Sequence, residues 1–169
     1  MARRGGRRRL GRAERGAVAI EFAIVLPLLA ALLFGIITAG LGYNNVLGVA
    51  DGVHEGARFG ATLPTTVGNW GTTVQQQTID LTYLNVPGRS VVTTAMVCAQ
   101  LVRAPSTVVQ SSSCSLSTSA PENPAGVAAG TCLVKVWAQI PVTLTFVLIP
   151  TQTIQVHRQS VTLYERGTC

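Results

Sequence analysis

Arg15-Gly16-Ala17-Val18-Ala19-Ile20-Glu21-Phe22 runs straight into Ala23-Ile24-Val25-Leu26-Pro27 and an apolar stretch ending at Gly42. An arginine-rich head stops at a glycine, and a run of membrane length begins. Phe22 to Gly42 is 21 residues without a charge, close to the ~20 a helix needs to cross the hydrocarbon core. That is too long for the 7–15-residue apolar core of a secretory signal, and no small-x-small site closes it. The anomaly is Glu21. A carboxylate at mid-bilayer costs about 2.5–3.5 kcal/mol even on the mild insertion scale. Nearer the helix end the cost is smaller, but a plain anchor has no reason to bear it.

The charge distribution fits an anchored chain. Of 169 residues with a formal charge of +6, residues 1–16 hold seven arginines (3, 4, 7, 8, 9, 12 and 15) against one acid, Glu14. Residues 17–169 are balanced, with six basic and six acidic side chains. The basic character belongs to the head and not to a folded surface. Beside a spanning helix it reads as a topology signal that keeps the N-terminus in the cytoplasm and places the chain after residue 43 outside. Nucleic-acid binding through the arginines is a rival reading, undercut by the span. A twin-arginine signal at Arg7-Arg8-Arg9 lacks the usual flanking residues.

Gly16, four residues, Glu21, then aromatic Phe22 and the apolar run resemble the processing site of type IV pilin-like precursors, particularly the TadE-like minor pilins of the tight-adherence (Tad) pilus. Leu33-Phe34-Gly35-Ile36-Ile37 and His54-Glu55-Gly56-Ala57-Arg58-Phe59 look similar to the same family. Phe22 stands where that family usually has tyrosine. The resemblance covers residues 15 to 61. It implies cleavage after Gly16 by a membrane prepilin peptidase, with Gly16, Ala17, Glu21 and Phe22 as the processing site. The partners implied are that peptidase, other pilins, Tad assembly membrane proteins and the lipid bilayer, with no nucleic acid. The new amine at Ala17 would then pair with Glu21 of its own or a neighbouring subunit. A glutamate that merely snorkels to the interface is the plainer alternative.

Beyond the span, Gly48, Gly52, Gly56 and Gly60 fall four residues apart, with Gly40 extending the column. Each costs a helix about 0.8–1 kcal/mol against alanine, but together they present bare backbone along one ridge. A second helix could approach that ridge closely. The expected partner is another subunit's helix or the chain's own sheet. Asp51, His54, Glu55 and Arg58 lie off the ridge and read as a solvated charge cluster and not as a metal site.

Leu63-Pro64-Thr65-Thr66 ends this helix, with either threonine a candidate cap for the next. Val67, Trp70, Val74, Thr78 and Leu81 predict a second, amphipathic helix to about Leu84, with Gln75-Gln76-Gln77 facing water and a turn at 85–88. The period then changes to two. Strands are expected over 91–102, from Cys132 to Val142, where the second reads as half-buried, and across Ile154–Leu163. The inward parity of the last changes, which a bulge within His157–Ser160 would reconcile. Residues 104–130, rich in Ser, Thr, Pro, Ala and Gly, read as a long mobile loop. Thr145-Phe146-Val147-Leu148-Ile149-Pro150 reads as a core or docking tip.

The fold expected is therefore α+β. It comprises a basic cytoplasmic leader (1–16), a transmembrane helix (17–42), an extracytoplasmic extension (43–62) and a small domain (63–169) with one helix on a three-stranded antiparallel sheet. Cys98, Cys114, Cys132 and Cys169 all fall outside the span, where disulfides form. Three pairings are open. An up-down-up meander would gather all four thiols at one pole, which favours Cys98–Cys114 with Cys132–Cys169. Intervals without Cys-x-x-Cys argue against zinc. No phosphate loop, nucleophile elbow or paired-histidine motif is present, so the expectation is a non-enzyme with no cofactor and no metal. Two functional readings remain. One is a minor pilin of a Tad system in the cytoplasmic membrane, acting in pilus initiation, assembly or tip formation; the other is an uncleaved, signal-anchored extracytoplasmic binding domain.

Overall fold

A computed structural model describes residues 10–84, 92–144 and 152–169. Helix α1 runs unbroken from Leu10 to Thr62 and helix α2 from Trp70 to Leu84. Strands β1 (Val97–Arg103), β2 (Thr107–Ser111), β3 (Cys132–Leu144) and β4 (Gln152–Leu163) come after them. They form one antiparallel sheet in the order β2-β1-β3-β4. The sheet has four strands where three were expected. The extra one, β2, lies inside the stretch 104–130 read as a loop, turning back on β1 at a cis Ala104–Pro105 peptide. The expected turn at 85–88 and the tip at 145–150 lie outside the described residues, as does the leader up to residue 9.

Helix α1 has two halves. At 1.5 Å per residue its 53 residues extend about 80 Å. From Val18 to Leu41 no side chain is buried, and Ile24, Leu28 and Ile36 are each more than 60% exposed. Among the described residues this is the one helix long and apolar enough to cross a membrane. Pro27 lies within it. Beyond residue 47 the same helix becomes part of a folded core. Val49, Val53, Ala57 and Ala61 form one buried column, and glycines 48, 52, 56 and 60 form the adjacent one.

The two columns divide the work. The apolar column faces a core shared with Trp70 and Val74 of α2 and with the inner face of the sheet: Val97, Ala99 and Leu101 of β1, and Val134, Val136, Ala138 and Ile140 of β3. The end of α1 is tied down by the residues after β4. The Tyr164 hydroxyl donates to the Leu63 carbonyl (2.9 Å), the Glu165 N–H to that of Ala61 (3.1 Å) and the Arg166 Nε to that of Thr62. Carbonyls that a helix end leaves without partners are thus satisfied, and the arginine sits where the helix dipole favours a cation.

Three local expectations change. Helix α2 starts at Trp70, not Val67, because Pro64 to Val67 close a turn instead. Thr65 and Thr66 do not cap it; the Asn69 carbonyl accepts from the hydroxyls of Thr72 and Thr73. No bulge interrupts β4, whose register with β3 is constant from Leu133↔Leu163 to Leu144↔Gln152. The inward parity continues through Ser160, which is buried and hydrogen-bonds the His54 Nδ1 of α1 at 3.1 Å. Val161 and Leu163 belong to the outer face, Val161 opposite Lys135. Pro141 sits in β3 beyond the last residue paired with β1, where no ladder hydrogen bond needs its missing N–H.

Candidate functional site

Gly16, Ala17, Glu21 and Phe22 all lie on the helical backbone of α1. Ala17 and Glu21 are one turn apart, about 6 Å along the axis and on one face. Glu21 and Phe22 are both exposed, and the apolar surface that continues from them has no cover among the described residues. One carboxylate therefore stands at the head of an otherwise uncharged helical rod.

The glycine column packs against neither expected partner alone. Its main contact is the chain's own α2. A Cβ on Gly52 would lie 3.0 Å from the Thr82 Cα, and one on Gly56 2.9 Å from the Thr78 Cβ. Gly60 faces Trp70 and Val74 of α2 and also Val134 of the sheet. Gly48 is buried. By contrast, Cβ atoms on Gly35 and Gly40 would meet nothing within 4 Å. The column thus has a packed part, inside the domain, and an open part on the apolar rod.

Across α1 from the glycines, Arg58 pairs with Glu55 at 3.1 Å with both side chains largely exposed, which stabilises by at most tenths of a kcal/mol. Asp51 is exposed. His54 is not simply solvated, given its bond to Ser160. Of these, His54 joins the helix to the sheet, and among the described residues no group of three His, Cys, Asp or Glu is gathered as metal ligands.

Two disulfides form, Cys98–Cys114 and Cys132–Cys169. They do not share a pole. β2 carries the chain back along β1, so Cys114 returns to the start of β1, while Cys132 opposes Arg103 at its end. Five strand residues, roughly 17 Å, separate the two bridges.

Between the first bridge and β3, residues 112–131 cross the outer face of the sheet. They explain why β3 is buried on both sides from Cys132 to Ala138 and not half-buried. Lys135, on that outer face, donates from Nζ to the Pro121 carbonyl at 2.6 Å. Its burial pushes the ammonium pKa below the usual lysine value, partly offset by the charge of Glu122. Ser117 Oγ bonds the Gln139 side chain at 3.0 Å. Beside this strap lies a cleft of about 420 Å³, lined by Thr118, Ser119, Trp137, His157, Arg158 and Gln159. The sequence reading missed Gln75, the only member of the glutamine run that is buried. Its Nε2 lies within 3.0 Å of the carbonyls of Thr94, Val97 and Ser113.

Residues 16–58 match the family model of the TadE-like proteins. No curated protein and no solved structure matches the chain. The matched segment opens at Gly16 and takes in Glu21, the exposed apolar rod and the first three packed glycines, and over that segment the chain is similar to the TadE-like proteins.

Proposed function

We propose that the chain is a minor pilin or pseudopilin, made as a single-pass precursor in the cytoplasmic membrane with its N-terminus inside. A prepilin peptidase trims it after Gly16, and it then works with other pilins in initiating, assembling or tipping a Tad pilus. The observation that carries this reading is the coincidence of the family match with a rod of uncovered apolar surface headed by one acid. Trimming removes the arginine head and creates an amine at Ala17, one turn from Glu21. In lipid that amine, in the same or a neighbouring subunit, is the natural counter-charge. Gly16 aids the cut as well, since glycine weakens a helix by about 0.8–1 kcal/mol against alanine and a peptidase must open the backbone to reach it. The role is structural and not catalytic.

N-terminal sequencing and intact mass of membrane-extracted protein, from cells with and without a prepilin peptidase, test the reading. The expected mature chain starts at Ala17 only when the peptidase is present. A functional chain that still carries residues before Ala17 would leave the uncleaved anchored domain as the better description.

A further inference from the structure

The outer edge of the sheet carries a second recognition feature. β4 is a terminal strand, 12 residues long, free of proline and without a bulge. Such edges are templates for another strand unless they are short, bulged or guarded by charge. The Tyr164 N–H donates to the Cys132 carbonyl, and the register is constant, so even-numbered residues of β4 bond to β3. The odd-numbered ones, 153 to 163, turn their N–H and C=O groups away from the sheet. At the centre of this edge the Nη1 of Arg158 donates to the His157 carbonyl at 2.8 Å, a removable guard on one of those outward groups.

The cleft beside the strap sits against this same central segment. Its walls include His157, Arg158 and Gln159, with the hydroxyls of Thr118 and Ser119 opposite. Trp137, about 94% buried, also lines it, and its Nε1–H has no acceptor. A buried donor without a partner costs about 1–3 kcal/mol. The lining residues thus carry one permanent cation, an imidazole, two hydroxyls and an amide, and no acid. Arg158 has no ion pair among the described residues.

We infer that β4 and this cleft together bind an extended, acidic peptide segment of a partner protein, which adds as a fifth strand and places a carboxylate side chain in the cleft. The peptide backbone supplies N–H and C=O partners for the odd-numbered residues, which have none among the described residues apart from the Arg158 guard on the His157 carbonyl. On docking, a peptide N–H takes over the His157 carbonyl, and the released guanidinium turns to the carboxylate. An acidic sugar would satisfy the cleft but not a ladder with a strand repeat, so the edge favours the peptide.

The test uses the full chain in detergent micelles and the probe acetyl-Thr-Val-Thr-Glu-Thr-Val-Thr-amide, labelled for fluorescence anisotropy. The companion ligands are its Gln analogue, an analogue N-methylated at alternate amides, and D-glucuronate. Saturable binding of the Glu peptide, at least tenfold tighter than the Gln analogue and lost on N-methylation, is the result expected. Arg158→Gln should weaken it about tenfold, and the emission of Trp137, identified by its loss in Trp137→Phe, should change on saturation. Equal binding of the N-methylated peptide overturns strand addition. Binding of glucuronate without the peptides assigns the cleft to acidic saccharides and overturns the proposal, as does no binding at all. None of these results bears on N-terminal trimming, so the pilin reading stands or falls separately.

Discussion

Gly56 of α1 and Thr78 of α2 approach so closely that a Cβ on the glycine would sit 2.9 Å from the threonine Cβ and 3.2 Å from its Cγ2. Thr78 cannot swing away freely, because its hydroxyl is bonded to the Val74 carbonyl at 2.8 Å. Gly56→Ala should therefore lose about 1–3 kcal/mol through overpacking, more than the roughly 0.8–1 kcal/mol that alanine gains in a helix. Adding Thr78→Ala should recover part of the loss. Gly40→Ala, with open space around it, should not destabilise. Urea unfolding in micelles, followed by tryptophan emission, separates the three. Equal effects at positions 40 and 56 would mean that the column is not a packing surface.

Gln75 is the polar pin between α2, the entry to β1 and the strap. Its amide faces three carbonyls, so Gln75→Leu preserves bulk while stranding acceptors in a dry site. Each stranded carbonyl costs about 1–3 kcal/mol, and Gln75→Glu adds carboxylate-to-carbonyl repulsion. The expected order of stability in denaturant is wild type, then Leu, then Glu. The exposed neighbour Gln76, bonded to Asp80, should tolerate leucine within about 0.5 kcal/mol.

The periodicities carried what could be read from the chain. A 21-residue uncharged run, a four-residue glycine step and a two-residue strand step each have a single geometric reading, so the rod, α2 and three strands were legible. β2 was not, because Thr107-Val108-Val109-Gln110-Ser111 is mostly exposed and lies among Ser, Thr and Pro residues that obscure any alternation. Gln75 was misplaced because nothing local distinguishes it from Gln76. Only the tertiary position of Thr94, Val97 and Ser113 does. The β4 parity misled for a related reason: the inward site expected to be apolar holds Ser160, bonded to His54 across the core. The disulfide poles were misjudged because the missed strand reverses the chain before Cys114.

Lys135 makes stability depend on pH in the alkaline range. Burial holds its folded-state pKa below the ordinary lysine value of 10.5, so the unfolded chain binds the extra proton. Stability is then lowest below the folded pKa and rises as pH climbs through that value toward the unfolded one. Lys135→Met should flatten this rise. The measurement is the difference in unfolding free energy between wild type and variant across the neutral-to-alkaline range, which cancels the other alkaline groups. A difference that stays constant would show that the lysine is not desolvated as placed. A difference of the opposite slope would show the same.

The two disulfides should act independently, since they lie at opposite ends of β1. On the chain-entropy account, a 16-residue separation is worth about 3 kcal/mol and a 37-residue separation about 4 kcal/mol. Cys98→Ser with Cys114→Ser should free the strap and lower stability by about the first amount. Cys132→Ser with Cys169→Ser should loosen the C-terminal residues and, through Glu165 and Arg166, the end of α1. Hydrogen exchange should show new exposure at 112–131 in the first variant and at 59–63 in the second. Exchange spreading equally through both regions in both variants would mean that the bridges hold one unit, not two ends.

Glu21 carries the proposed assembly role, and replacing it separates insertion from incorporation. Glu21→Leu makes residues 17–42 more apolar, so membrane insertion should be unchanged or improved. Incorporation should fall, because the Ala17 amine of a trimmed subunit would enter lipid without its counter-charge. Removing one partner of a buried pair costs about 3–5 kcal/mol, which corresponds to a hundredfold or greater loss of the assembled form. Glu21→Asp keeps the charge but shortens the reach, and should retain part of the activity. The measurement is the ratio of this protein in sheared fibre and membrane fractions, with the N-terminus of each variant sequenced so that failed trimming is not mistaken for failed assembly. A trimmed Leu variant that partitions like wild type would leave the acid without the role assigned to it.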